Sequence, residues 1–280
     1  MKHYMKLIIF LILSTIFIAN GFSRHRIVIM TDFPPADVIP GWLGFGPADK
    51  LRSVTWQGNS GTWGRPASEI IGQGRDSEAS EKIIDLLEQE DQRPIWFSIW
   101  GGSCDLAQAL WKIRETLTPA EANELLKKIR IYMIGLQDGS GQWMLDTFPE
   151  LFIIMSAGNY MGMFNNAPGA DITLSDLDWI NRNIRKGHGL LGIIYPESGF
   201  YPETPGVWEG DSPSFLYLVS AFKGINDSER PDQESWGGKF IQPEATKNHW
   251  FDDPAGSQTV SKWRKQVQED FAFRANWMLP

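Results

Sequence analysis

The sequence predicts an α/β fold: a doubly wound, mainly parallel sheet with helices on both faces. Three observations predict it. Short, nearly continuous apolar runs recur, which suits strands covered on both sides. Most of these runs end in glycine or small polar residues, as strands do where they reach a crevice. Helical patterns separate the runs, and β-α-β recurrence builds parallel sheets with right-handed crossovers.

The elements follow in chain order. The first 21 residues carry Lys2 and Lys6, an apolar run from Leu7 to Ala19, and small residues at Ala19 and Gly21. This is the pattern of a cleaved secretory signal, so one exported domain is expected over 24–280, secreted or periplasmic. RIVIMTD (26–32) reads as the first strand and ends in Thr31-Asp32. Residues 33–50 are rich in Pro and Gly and hold Asp37 and Asp49; they read as an irregular loop. Residues 51–64 add Trp56 and Trp63 among Ser53, Thr55, Ser60 and Thr62. A loop of this kind suits stacking on a sugar or base as well as buried anchoring. Helices are expected over 66–74 and 77–89, the second with Ile83, Ile84, Leu86 and Leu87 on one side.

IWFSIW (95–100) is the organising strand. Gly101-Gly102 turns the chain tightly with bare backbone, and Ser103 is placed to cap a helix over 104–116. Thr118-Pro119 with Glu121 opens a further helix to about Lys128. RIYMIG (130–135) and LFIIMS (151–156) are the next strands, the first running into Leu136-Gln137-Asp138-Gly139. Ser175 is expected to cap a helix reaching Arg185, with a fifth strand over 190–195 and a helix over 214–222. Residues 225–253 read as loop-rich. Residues 259–277 read as a final amphipathic helix with Trp263, Val267, Phe271 and Trp277 inward.

Composition removes several function classes. With 34 acidic against 26 basic residues the net charge is -8, which disfavours a nucleic-acid polymer as partner and gives no polybasic patch for a membrane surface. After signal cleavage no segment is apolar enough for a membrane helix. One cysteine, Cys104, excludes an intrachain disulfide and a cysteine-based zinc cluster. Its place at a helix start tends to lower its pKa, yet no histidine lies near it in sequence, so it reads as a buried thiol. His188 reads as a structural hydrogen bonder. Asp32, at a strand's C-terminal end, suits a metal ligand or general base, or a loop cap.

RIVIMTD (26–32), GRDSEASEKII (74–84), RPIWFSIWGG (93–102), IYMIGLQD (131–138), GHGLLG (187–192), WEGDSPSF (208–215), SWGGKF (235–240) and DFAFRANWM (270–278) occur in this order. The chain thereby resembles the bacterial family of cellulose-binding, nucleoside-hydrolase-like proteins, over nearly all of its mature length. Nucleoside hydrolases hold calcium at the strand ends, where the ion binds ribose hydroxyls and an activating water. By this resemblance Asp32 is the first aspartate of the calcium cluster and the base that takes the water's proton. Asp211 looks like the late calcium ligand, and Asp138, Trp143, Trp208 and Glu209 line the substrate. Two departures accompany the match. The Asp-Asp pair, helix and strand that family members carry after Thr-Asp are missing here, which removes about half of the expected acids. Ser103-Cys104-Asp105 stands where hydrolases of this group carry Thr-Asn. The resemblance implies the hydrolase-like domain without the β-rich C-terminal domain of larger members. Three functions are therefore expected to compete. One is calcium-dependent hydrolysis of an N-glycosidic bond in a nucleoside or small glycoside. The others are polysaccharide binding without chemistry, and an inactive, shortened family member.

Overall fold

The computed structural model describes residues 26–30, 52–198 and 205–276. Six strands form one sheet in the order β1-β2-β3-β4-β6-β5. They are β1 (Arg26–Met30), β2 (Ile95–Ile99), β3 (Ile129–Ile134), β4 (Phe152–Ser156), β5 (Phe240–Ile241) and β6 (His249–Asp252). The first four and β6 run parallel, and only β5 is antiparallel. The longer helices are α1 (Glu78–Glu88), α2 (Cys104–Thr116), α3 (Pro119–Leu126), α4 (Gly139–Thr147), α5 (Gly189–Ile194), α6 (Ser212–Phe222) and α7 (Arg264–Ala275). None of the described helices is long and apolar enough to cross a membrane.

Side chains alternate across a pleated strand, and the two faces of the sheet sort accordingly. Ile95, Phe97, Ile99, Ile129, Ile131, Met133 and Ile153 face a core closed by α1, α2, α3 and α4. Trp96, Tyr132, Phe152 and Ile154 face the other way, against Tyr217 and Leu218 of α6. This two-sided burial is what the continuous apolar runs require, since neither face of the central strands meets water.

Local chemistry sets the ends of the helices. Ser77 caps α1 by accepting from Ser80 N at 3.0 Å, and Thr118 with Glu121 forms a reciprocal capping box at α3. Four expectations give way. The 190–195 run is helical: an apolar run of that length does not separate strand from helix, and Gly192 lets the turn settle where a Cβ would stand 2.4 Å from Ile184 O. Asp176, not Ser175, caps the helix Leu177–Ile180, accepting from Trp179 N at 2.7 Å. The last helix is broken into Gln258–Ser261 and α7, because the first turn is drawn against Asn159–Met163, where Gly162 leaves room. The loop-rich 225–253 region contains β5 and β6, and β6 completes the parallel sheet beside β4. The signal region, Asp32, Asp37, Asp49 and Trp277 lie outside the described residues.

Candidate functional site at the carboxyl ends of the strands

Parallel strands deliver their following loops to one edge, and the candidate residues gather there. Residues 57–66 form a strap across the ends of β2 and β3. Gly64 N donates to Gln137 O at 2.8 Å, and Gly139 N donates to Arg65 O at 2.8 Å. Asn59 N donates to Asp105 Oδ1 at 3.0 Å, and Ser77 Oγ donates to the same oxygen at 2.6 Å. Ala79 N donates to Gln57 O at 3.0 Å. Trp63 lies within this strap with 72% of its surface exposed.

Beneath the strap lies the diglycine turn after β2. A Cβ on Gly102 would stand 2.4 Å from Asp138 Oδ2 and 3.0 Å from Thr62 Oγ1, so only glycine admits both groups. Asp138 follows β3 and caps α4: its Oδ1 accepts from Ser140 N at 2.9 Å and from the Ser140 hydroxyl. Its Oδ2 is buried with no hydrogen-bond partner. Beside it, Gln137 Nε2 donates to Trp100 O at 3.0 Å while Gln137 Oε1 is likewise buried and unpartnered. Ser103 does not cap α2 with its side chain as expected. Its hydroxyl bonds instead with that of Ser140 at 2.6 Å, tying the starts of α2 and α4 together. Cys104 is the buried thiol expected, and the helix start does not lower its pKa. Burial, helped by the negative charges of Asp105 and Asp138, pushes its thiol up to about 12.

A second group of polar residues stands at the ends of β4 and β6. Asp252 Oδ2 accepts from Gly158 N at 2.6 Å and from Asn159 N at 3.0 Å, while no hydrogen bond reaches Oδ1. Burial raises the Asp252 carboxyl above its ordinary range, opposed by those two backbone donors. Asn159 is fully buried; its Nδ2 donates to Lys239 O at 2.9 Å, and its Oδ1 has no partner. Sequence reasoning missed both residues. The one available signal was the acid closing the short aromatic run His249-Trp250-Phe251-Asp252.

The remaining expected residues occupy other surroundings. Asp211 immediately precedes α6, whose Ser214 Oγ lies 2.5 Å from Ser98 Oγ and accepts from Trp100 Nε1 at 2.7 Å, so α6 starts over the end of β2. Glu209 is buried and accepts from the Tyr195 hydroxyl and from Ser212 Oγ. Trp208 packs its ring 4.9 Å from that of Phe164. Trp143 lies on α4 with Phe148 at 5.5 Å and the Arg114 guanidinium at 5.6 Å from its ring. The structure thus draws Asp138 and Thr62 together at Gly102, with Trp63 next to Thr62 on the strap, and gives Trp143, Trp208 and Glu209 separate partners. His188 is buried between Lys186 O at 3.1 Å and Asn276 Oδ1 at 3.3 Å, the expected structural role. Among the described residues no three His, Cys, Asp or Glu side chains converge as a metal-ligand set.

A mainly parallel sheet with polar groups gathered at its strand ends makes this a doubly wound α/β domain with its candidate site at the carboxyl edge. The chain belongs to the family described as "Cellulose-binding Sde182, nucleoside hydrolase-like domain", whose model matches residues 42–240. It is also similar to a solved nucleoside hydrolase-related hypothetical protein from Saccharophagus degradans that is associated with carbohydrate metabolism. That likeness has 26% identity and a TM-score of 0.65, over 88% of this chain and 57% of the other. The chain therefore spans little more than half the length of that relative. No curated protein matches.

Proposed function

We propose that this chain is an exported polysaccharide-binding protein that grips a glucan such as cellulose at the carboxyl ends of β2 and β3. Trp63 carries the reading. It is 72% exposed, yet the strap that bears it is hydrogen-bonded to Gln137, Asp105 and Gly139. An indole carried on a tethered backbone spares the cost of ordering its loop when a ligand binds, and its flat apolar face matches the C–H face of a pyranose. On the same edge, Asp138 carries a buried acceptor oxygen without a hydrogen-bond partner. The family is described as cellulose-binding, and the related Saccharophagus degradans protein as associated with carbohydrate metabolism.

The test is affinity for cellotetraose and retention on cellulose, measured for the parent chain and for Trp63→Ala. Stacking on one aromatic contributes ~1.4 kcal/mol, so affinity should fall about tenfold. Equal retention of the two proteins would overturn the role of Trp63.

Hydrolysis of an N-glycosidic bond in a nucleoside or related glycoside is the second reading. It is favoured by the start of α6, which sets Asp211 over the end of β2. Calcium belongs to this reading, with Asp32 and Asp211 as the ligands that the family resemblance implies. Under it, calcium raises the melting temperature of the parent chain but not of Asp211→Ala, and Asp32→Ala abolishes nucleoside turnover in a folded protein. A well-folded chain with no turnover and no response to calcium leaves the binding reading and the inactive one, which retention on cellulose separates.

A further inference from the structure

Among the described residues, the buried side-chain acceptor oxygens with no hydrogen-bond partner are Gln137 Oε1, Asp138 Oδ2, Asn159 Oδ1, Asp252 Oδ1 and Gln268 Oε1. All but the last belong to the ends of β3, β4 and β6, on one edge of the sheet. A buried acceptor without a partner is costly, so a row of them marks a place where a donor-rich ligand recovers what the free protein lacks. Each carboxylate is held by one oxygen, Asp138 to Ser140 and Asp252 to the Gly158 and Asn159 amides, which aims the other.

The spacing of these acids separates two kinds of donor. Strands β3 and β6 are two interstrand steps apart, roughly 9.5 Å, with β4 between them. Among the described residues these acids form no metal-ligand set, whereas a chain of hydroxyls can meet acceptors spread along the strand ends.

Resting on the carbohydrate-binding reading, we propose that the ligand is an oligosaccharide of at least two sugar units lying across the strand ends. Trp63 stacks one unit over Gln137 and Asp138, and Asn159 with Asp252 accepts hydroxyls from the next. The oxygens lie below the surface, so the strap and the loop after β4 part as the sugar enters, the kind of loop adjustment that binding selects.

Calorimetric titration of the full mature chain with glucose, cellobiose and cellotetraose tests this, beside Asp252→Asn. The substitution keeps an oxygen for the Gly158 and Asn159 amides and replaces the outer oxygen with a donor. The parent should bind cellobiose at least tenfold more tightly than glucose, and Asp252→Asn should reduce that ratio about tenfold. A ratio unchanged in a folded Asp252→Asn, with cellotetraose still bound, overturns the second subsite while the binding reading survives. Equal affinity of the parent for glucose and cellotetraose does the same, even if the variant fails to fold. If the parent binds no glucan at all, the underlying reading falls and this inference with it.

Discussion

Single residues at the strand ends work by what they leave room for. Gly102 is the sharpest case: a methyl group there meets Asp138 Oδ2 at 2.4 Å and Thr62 Oγ1 at 3.0 Å. Gly102→Ala is expected to cost ~1–3 kcal/mol in chemical denaturation, and Gly102→Ala with Asp138→Ala should regain part of it. Simple additivity of the two changes would show that the crowding lies elsewhere. Cys104 illustrates the opposite balance, since burial beside two acids outweighs any benefit from the helix start. Its thiol should resist aromatic disulfide reagents at pH 8 in the folded chain and react at once in denaturant. The diglycine and Asp138 were legible because Gly-Gly and an acid at a strand end are local signals. Asp252 and Asn159 were not, because they matter only through pairing of β4 with β6, across nearly a hundred residues of chain.

Among the elements, the strap depends on the helix behind it. Ser77 both caps α1 and donates to Asp105, the acid that also receives the amide of Asn59. Ser77→Ala should cost ~1 kcal/mol through the lost cap and should speed amide exchange at Asn59, measured by deuterium uptake. Exchange unaltered at Asn59 would show the strap to be pinned without it. The same scale explains where reading the sequence succeeds. Strands β1 to β4 were legible because burial on both faces leaves an apolar run bounded by turn residues. The 190–195 run carried the same signature, and its helix is decided by packing against Ile184 and His188. Helix α4 went unread because its start, Asp138-Gly139-Ser140-Gly141, looks like a turn until Asp138 caps it.

For the whole molecule, acid sensitivity has an identifiable contributor. His249 begins β6 with Nε2 3.0 Å from Phe148 O, and burial lowers its pKa from the ordinary value of 6.5. Between the folded value and 6.5 the unfolded chain binds the proton better than the folded one. Stability therefore rises with pH through that window, is complete above it, and is lost as pH falls through the folded value. The melting temperature of the parent should fall more steeply below pH 6.5 than that of His249→Gln, which keeps a donor for Phe148 O. Parallel curves would assign the acid response to other groups.

The order of strands also fixes a schedule. Neighbours β1 through β4 follow one another along the chain, whereas β6 returns to β4 only after the segment carrying α5 and α6. On a ribosome the first four strands emerge and pair while the open edge of β4 waits for a partner still to be made. Pairing over so long an interval is slow, and an uncovered strand edge invites pairing with another copy. A nascent chain halted before Phe240 should therefore be the species most prone to aggregate, and the one that most needs a chaperone.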